Sequence, residues 1–449
     1  NMVFVGVANA PGQSWPNYTT ITNTPLIREK PYLSLDSNNN FVVMVPNLET
    51  NSSGTTWANG PTPATSIPIS RFYIAQAGVD NAVSINAALN SGLNLILTPG
   101  VYNLTGTINV TNPDTVVIGL GYPTLVPSLG LPSMTISDVN GVKVTGIIFD
   151  AGTTASPALL EVGTGIQVST LNHSADPICL YDICSRVGGA TPGTTTSCVT
   201  INVNDVIGDN FWLWRADHGT GVGWTKNVSH NGLIVNGNRV TIYGLANEHH
   251  EQYQTLWNGN WGRVYFYQSE LPYDAPSQSV WMETPTTNGY ASYKVANTVT
   301  SHQAYGLGVY AVFTSSTDAC YNAVETPVNP QVDTHDIITV FITGPATSAI
   351  THIINGTGNE VSGPNVPTAT ENSQWTNPTF STSAGLSTGN NISLTLPTES
   401  WHTYHLQFEN TLSSSGWLNI GNPFGGNDTL ETVTTPIITS QRYYRVTAQ

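Results

Sequence analysis

Short apolar runs punctuated by Gly, Asn, Asp and Pro recur along most of the chain, and helical periodicity is scarce. The runs share a template of strand, small or polar corner, and second strand: Thr115–Gly121 "TVVIGLG", Gly141–Gly152 "GVKVTGIIFDAG", Val199–Trp214 "VTINVNDVIGDNFWLW", Gly232–Leu245 "GLIVNGNRVTIYGL" and Gly262–Gln268 "GRVYFYQ". Their starts lie 26, 58, 33 and 30 residues apart, a period that points to a solenoid or propeller. Near-continuous apolar strands with small corners favour the solenoid, in which each coil stacks its side chains on the coil below. The reading is an all-β, right-handed parallel β-helix over residues 71–355. A string of independent β-sandwiches is the competing one. One helix is expected, Asp80–Ser91 "DNAVSINAALNS" closed by Gly92, as the cap of the solenoid's open end. The 58-residue step reads as an insertion around Cys179–Cys198 looping off one coil.

Residues 1–70 read as a β-rich segment packed on the solenoid. After Asn355 the composition turns to Pro, Thr, Ser and Asn, so 356–389 reads as linker-like. Beyond it, Ile392–Leu396, His402–Phe408, Trp417–Ile420 and Tyr443–Val446 alternate apolar and polar residues. This describes a small β-sandwich over 390–449, similar to the C-terminal modules ending in a "YRV" strand that secreted bacterial proteins carry.

Charge narrows the partners. Only 9% of the residues are Asp, Glu, Lys or Arg, and the formal net charge is −16. A nucleic acid or an anionic membrane surface calls for clustered Lys and Arg, so neither is expected as a partner. No apolar run is long enough to span a bilayer. Nine N-x-Ser/Thr sequons, at Asn17, Asn51, Asn103, Asn109, Asn172, Asn227, Asn355, Asn391 and Asn427, suggest a glycosylated, secreted product. The absence of a signal-peptide pattern fits a processed chain. Cys179, Cys184, Cys198 and Cys320 form no C-x-x-C pair, which argues against zinc and suits one or two disulfides, with three pairings open. No metal or cofactor is expected. The "EHHEQ" segment lacks the i,i+4 histidine spacing of a zinc site.

The densest chemistry lies between Asp205 and Asp274, where carboxylates (Asp205, Asp209, Asp217, Glu248, Glu251, Glu270, Asp274) alternate with Trp212, Trp214, Trp224, Trp257, Trp261 and Tyr253. Carboxylates on neighbouring coils line one groove in a β-helix, and aromatic rings beside them stack on sugar faces. These six aromatics are the candidate carbohydrate-binding residues.

The blocks "REKPYL", "LTPGVY", "PDTVVIGLG", "FWLWRADHGTGVGWT", "GLIVNG", "TIYGL" and "YQTLWNGNWGRVYFYQSELPYDAP" resemble, collinearly over residues 1–355, a secreted β-helix family: the α-1,3-glucanase and mycodextranase group, glycoside hydrolase family 87. The resemblance implies a pectin-lyase-like β-helix that hydrolyses an α-glucan with inversion, using an acid and a base some 6.5–9.5 Å apart. It carries the Asp of a "RADHG" block onto Asp217 as candidate acid or base. It places an Asp-Asp pair where this chain has Asn238 and Arg239. Asn cannot transfer a proton and Arg is permanently charged, so the resemblance implies impaired catalysis unless Asp209, Glu248 or Glu251 substitutes. Three readings follow: a carbohydrate-binding protein of hydrolase fold, impaired or inactive; an active α-glucan hydrolase using Asp217 with a substitute base; and a self-associating subunit of an extracellular fibre or coat.

Overall fold

A computed structural model of the chain describes all residues except 13–14, 59, 166–167, 330, 364–367, 373–382, 388–390, 399–402, 411–415, 426–429, 437–441 and 449. The chain divides into two compact units, Asn1–Asn377 and Pro378–Gln449.

The first unit is a right-handed parallel β-helix. Its long sheet stacks, in parallel and in chain order, Phe72–Ala75, Asn94–Leu97, Val116–Gly119, Lys143–Asp150, Ile178–Val187, Val206–Arg215, Thr241–Glu248, Gly262–Glu270, His302–Val312 and Val332–Thr343. A second sheet stacks the return strands, among them Ser156–Val162, Thr195–Ile201, Ser229–Val235, Thr255–Trp257, Tyr293–Val295 and Ala319–Glu325. Between the sheets, Leu160, Val199, Leu233 and Thr255 lie in register, coil upon coil.

Each long strand is bent in its middle by one left-handed residue. Gly146, Asp182, Asn210, Gly244, Phe266, Gly306 and Asp336 have φ between 49° and 71° and fall at equivalent positions of successive coils. Gly, Asn and Asp tolerate this conformation; Phe266 is the costly member. The bend splits the sheet into two limbs facing different directions. On the first limb Tyr243, Tyr265, Tyr305 and His335 form a stacked ladder with ring spacings of 5.1, 5.6 and 4.8 Å. Residues from the N-terminal segment reach this limb: Tyr243 donates to the Leu26 carbonyl at 2.7 Å, and Lys30 pairs with Asp182.

Corners before the long strands are built from asparagine. Asn236 Nδ2 donates to Asn202 Oδ1, and Asn258 Nδ2 to Asn236 Oδ1. Beside this ladder runs a second, in which Asn204 Oδ1 accepts from the Asn238 amide and Asn238 Oδ1 from the Asn260 amide. The one α-helix among the described residues, α1 (Ala82–Asn90), is capped by Asn81 and buries Ala82, Ile85 and Leu89 in the solenoid core.

Three expectations are corrected here. The Cys179–Cys198 segment is an ordinary coil, made of the strands Ile178–Val187 and Thr195–Ile201, and not an insertion. All four cysteines are free thiols. Stacking explains this, because a strand residue meets its counterpart on the next coil. Cys179 faces Lys143 and Ile207, Cys184 faces Ile148 and Trp212, and Cys320 faces Ile350. Part of the linker-like segment is also structured: Val361–Ser362 and Thr368–Asn372 pair antiparallel with the last strands of the two sheets. The rest of that segment lies largely outside the described residues.

Among the sequons, Asn227 is fully buried, its Nδ2 donating to the carbonyls of Val187 and Ala216, so it cannot carry a glycan. Asn17, Asn51, Asn103, Asn109 and Asn172 are exposed, Asn355 and Asn391 are half-buried, and Asn427 lies outside the described residues.

The second unit holds two antiparallel sheets. One is Ser383–Ser387, Asn391–Pro397 and Leu430–Pro436; the other is built on Thr403–Glu409 and Tyr443–Ala448.

Candidate active site

Beyond the bend, the second limb alternates inward and outward residues. Phe211 and Leu213 point into the core, whereas Trp212 and Trp214 point out. Register carries the outward pair from coil to coil: Cys184 and Arg186, Trp212 and Trp214, Ala246 and Glu248, Gln268 and Glu270, Gly308 and Tyr310. Glu248 and Glu270 are therefore direct neighbours on adjacent strands, where backbones sit about 4.8 Å apart. Carboxylates on neighbouring strands repel, so ionising one disfavours ionising the other.

The two carboxyls have different surroundings. Glu248 Oε2 accepts from the Trp212 indole at 3.0 Å. Burial pushes Glu248 above the ordinary carboxyl range, and the charge of Glu270 adds to the effect. Glu270 Oε2 meets His249 Nε2 at 3.1 Å and accepts the Tyr273 hydroxyl, and Oε1 faces the Gln268 amide at 3.4 Å. The His249 contact holds Glu270 below the ordinary range, and Tyr273 acts in the same direction. Two adjacent carboxyls pushed apart in this way suit paired proton-transfer roles.

Aromatic groups border the pair. Trp212, 48% exposed, stacks on Trp214 with centroids 5.8 Å apart, and Trp214 tilts against His218 at 5.4 Å. Asp217 bonds His218 Nδ1 at 2.8 Å, and its charge helps push the Tyr273 hydroxyl up, after burial and Glu270. Arg186 pairs with Asp150 on the coils before Trp214. At the far edge Tyr310 donates to Asn1 Oδ1, whose Nδ2 bonds the carbonyls of Tyr267 and Gly306. Gly308 leaves room for this contact, since a Cβ there would stand 2.7 Å from the Asn1 side chain and displace it.

The other expected site residues distribute as follows. Asn238 and Arg239 belong to the turn that precedes Thr241–Glu248, at the opposite end of that strand from Glu248. Asn238 is a ladder residue. Arg239 has φ 55° and makes a two-pronged ion pair with the fully buried Asp205 at 2.6 and 3.0 Å. Both residues hold a corner, away from the Glu248–Glu270 pair. Asp209 lies on the first limb, before the bend, and burial with the charges of Asp182 and Glu29 raises it to about 6. Glu251 turns under the site toward Arg215, and burial raises it to about 7.

Of the aromatics, Trp257 is entirely core, and Trp224 packs on the core under the Arg215 guanidinium at 5.6 Å. Trp261 sits half-buried at the corner position equivalent to Arg239, with φ 55°. Tyr253 bonds Glu283 at 2.6 Å and packs on Tyr290. Only Trp212 and Trp214 stand beside the carboxyl pair.

Sequence reasoning had Glu270 and His249 in its dense window but not among the catalytic candidates, and it missed Tyr273. A signal was present. "TIYGLANE" and "RVYFYQSE" end in Glu at the same place, and one coil, from Asn236 to Asn258, is 22 residues.

Residues 72–270 match the LAM55 pectate lyase-like domain. An exo-β-1,3-glucanase of Streptomyces sp. (strain SirexAA-E / ActE) is 42% identical over 366 residues, which cover 81% of this chain and 59% of that protein. The chain thus spans less than two thirds of that relative's length. The structure of sacteLam55A from Streptomyces sp. SirexAA-E aligns with a TM-score of 0.78 at 41% identity, covering 82% of this chain and 67% of that one. A variant of the same protein in complex with glucose gives the same values. The β-helix and its likeness to a glycoside hydrolase are supported by these matches. The resemblance to family 87, with its α-1,3 linkage, is not: the named activity of the relative is on β-1,3 bonds.

Proposed function

Because the chain belongs to the LAM55 pectate lyase-like family of β-helix proteins, we propose that it hydrolyses a β-1,3-glucan with Glu248 and Glu270 as its two working carboxyls. The observation that carries this reading is their side-by-side register on an outward face, bordered by an exposed indole. A single displacement requires one carboxyl to protonate the leaving oxygen and another to take a proton from the attacking water. Glu270 suits the first role. Its Oε2 faces the imidazole Nε2 of His249 at 3.1 Å, a nitrogen that can hand it a proton between turnovers. Glu248 suits the second. Its donor is the Trp212 indole, which gives up no proton, and a raised affinity for protons makes its carboxylate the stronger base. Trp212 and Trp214 offer ring faces to the sugar. Action outside the cell is part of this reading, and the exposed sequons fit it.

The linkage is tested by incubating the protein with laminarin, α-1,3-glucan and nigeran and reading products by mass spectrometry. Glucose or short oligosaccharides from laminarin alone are expected. Release from the α-glucans and not from laminarin would overturn the proposed substrate.

A further inference from the structure

The tautomer of His249 is set by its surroundings. Its ring is buried, 4% exposed, and Nδ1 lies 3.0 Å from the backbone carbonyl of Arg215. A carbonyl only accepts, so Nδ1 carries a hydrogen. On a neutral ring, Nε2 is then a bare acceptor. Yet Nε2 faces Glu270 Oε2 at 3.1 Å, and two acceptors do not approach so closely without a proton between them. The contact is either imidazolium with carboxylate or imidazole with carboxylic acid. Both forms hold one shared proton.

Resting on the reading of Glu270 as the acid, we infer that His249 is a positioning residue that stores, on Nε2, the proton Glu270 delivers to the leaving glycosidic oxygen. Substrate filling the groove expels water, and a drier site disfavours the charge-separated form. The proton then moves from Nε2 to the Glu270 carboxyl and on to the glycosidic oxygen. The bond from that oxygen to the anomeric carbon breaks, its electron pair staying with the leaving oxygen. Water bonds to the anomeric carbon and gives its proton to Glu248. His249 is left neutral with Nδ1–H intact, and solvent carries a proton back from Glu248 to the His249–Glu270 pair.

The backbone supports a built arrangement. His249 has φ 68°, outside the usual range for a residue with a side chain, and its amide donates to the Glu270 carbonyl at 2.9 Å. Tyr273 packs on the ring at 4.3 Å while donating to the same carboxyl oxygen. The charged and titratable groups around the pair are Arg215, Asp274 and Glu251 beneath it, Glu248 and His250 on its own strand and the turn that follows, Tyr310 on the next strand, and Tyr273 and Asp217 at the rim. His250 stays neutral, lowered to about 3 by burial, and so does not compete for the stored proton.

The experiment is NMR of the full chain labelled with 15N-histidine and 13C-carboxyl glutamate, on wild type, His249→Asn and His249→Gln. Asn tolerates a positive φ and keeps a donor near the Arg215 carbonyl, but it cannot reach Glu270. In the wild type, Nδ1 should read as protonated and Nε2 as the nitrogen that shares its proton with Glu270. The Glu270 carboxyl should titrate at least one pH unit higher in His249→Asn, because its strongest stabilising contact is gone. With laminarin, both variants should lose at least tenfold in kcat, and the alkaline limb should fall to lower pH, since a lone carboxyl must now hold the proton. A dinitrophenyl β-glucoside, whose leaving group needs no proton, should lose less than threefold. The opposite wild-type tautomer, or an unmoved Glu270 titration, would overturn the inference, and the first needs no variant. A wild type inert on laminarin would instead remove the proposed function, while the carboxyl titration would still decide whether the proton is shared.

Discussion

Replacing Glu251 by Gln should stabilise the protein at alkaline pH and leave it nearly unchanged in acid. The carboxyl is 11% exposed, and Oε1 has no hydrogen-bond partner. Its nearest cation is Arg215 at 3.5 Å, and that guanidinium is already committed to Asp274 at 2.8 and 3.0 Å. Burial, with Asp274 adding to it, therefore raises Glu251 from 4.5 to about 7. Between those two values the folded chain binds a proton that the unfolded chain has released. Stability consequently falls as pH rises through that window and is flat above it. At about 1.4 kcal/mol per pH unit the loss is about 3 kcal/mol by pH 8. A neutral amide removes the titration. For a unit of this size that corresponds to about 4 °C in Tm. Melting curves of wild type and Glu251→Gln from pH 4 to pH 9 should diverge as pH rises, with the variant the more stable at pH 8. Parallel curves, or a less stable variant at pH 8, would refute the assignment of Glu251 as a buried, proton-binding carboxyl.

Three further outcomes are expected. Trp212→Ala removes both the exposed ring face and the indole donor to Glu248, so kcat/KM on laminarin should fall at least tenfold while the melting temperature changes little. Trp257→Ala, by contrast, empties a wholly buried site and should cost about 3–5 kcal/mol of stability. Thiol titration of the unfolded chain without reductant should count four free cysteines, and reductant should not move the melting point of the folded protein.

The solenoid was legible because its signals are local and repeated. Asparagine corners, β-branched strands and the helix closed by Gly92 each announce themselves within a few residues, and the structure uses all three. What was not legible depends on register. In a β-helix a residue's neighbours are set by coil length, and coils here vary: Asn202 to Asn236 is 34 residues, whereas Asn236 to Asn258 is 22. Glu248 and Glu270 become neighbours only once that step is known. The same ignorance sent Trp257, a core residue, to the carbohydrate list and hid that Asn238 and Arg239, the positions the resemblance gave to an Asp pair, lie in a turn. The cysteines misled for a related reason. Closeness in sequence suggested bridging, but stacking sets each thiol against a residue one coil away.

The most direct test of the account compares kcat/KM on laminarin for Glu248→Gln, Glu270→Gln and Arg239→Ala, with thermal melting beside each. Either carboxyl change should lower turnover by 10²-fold or more, the usual worth of a proton-transfer group, at an unchanged melting point. Arg239→Ala strands the buried Asp205 and should lower stability while folded protein keeps its turnover. Full activity in both carboxyl variants, or abolished turnover in folded Arg239→Ala, would contradict the placement of the chemistry at Glu248 and Glu270.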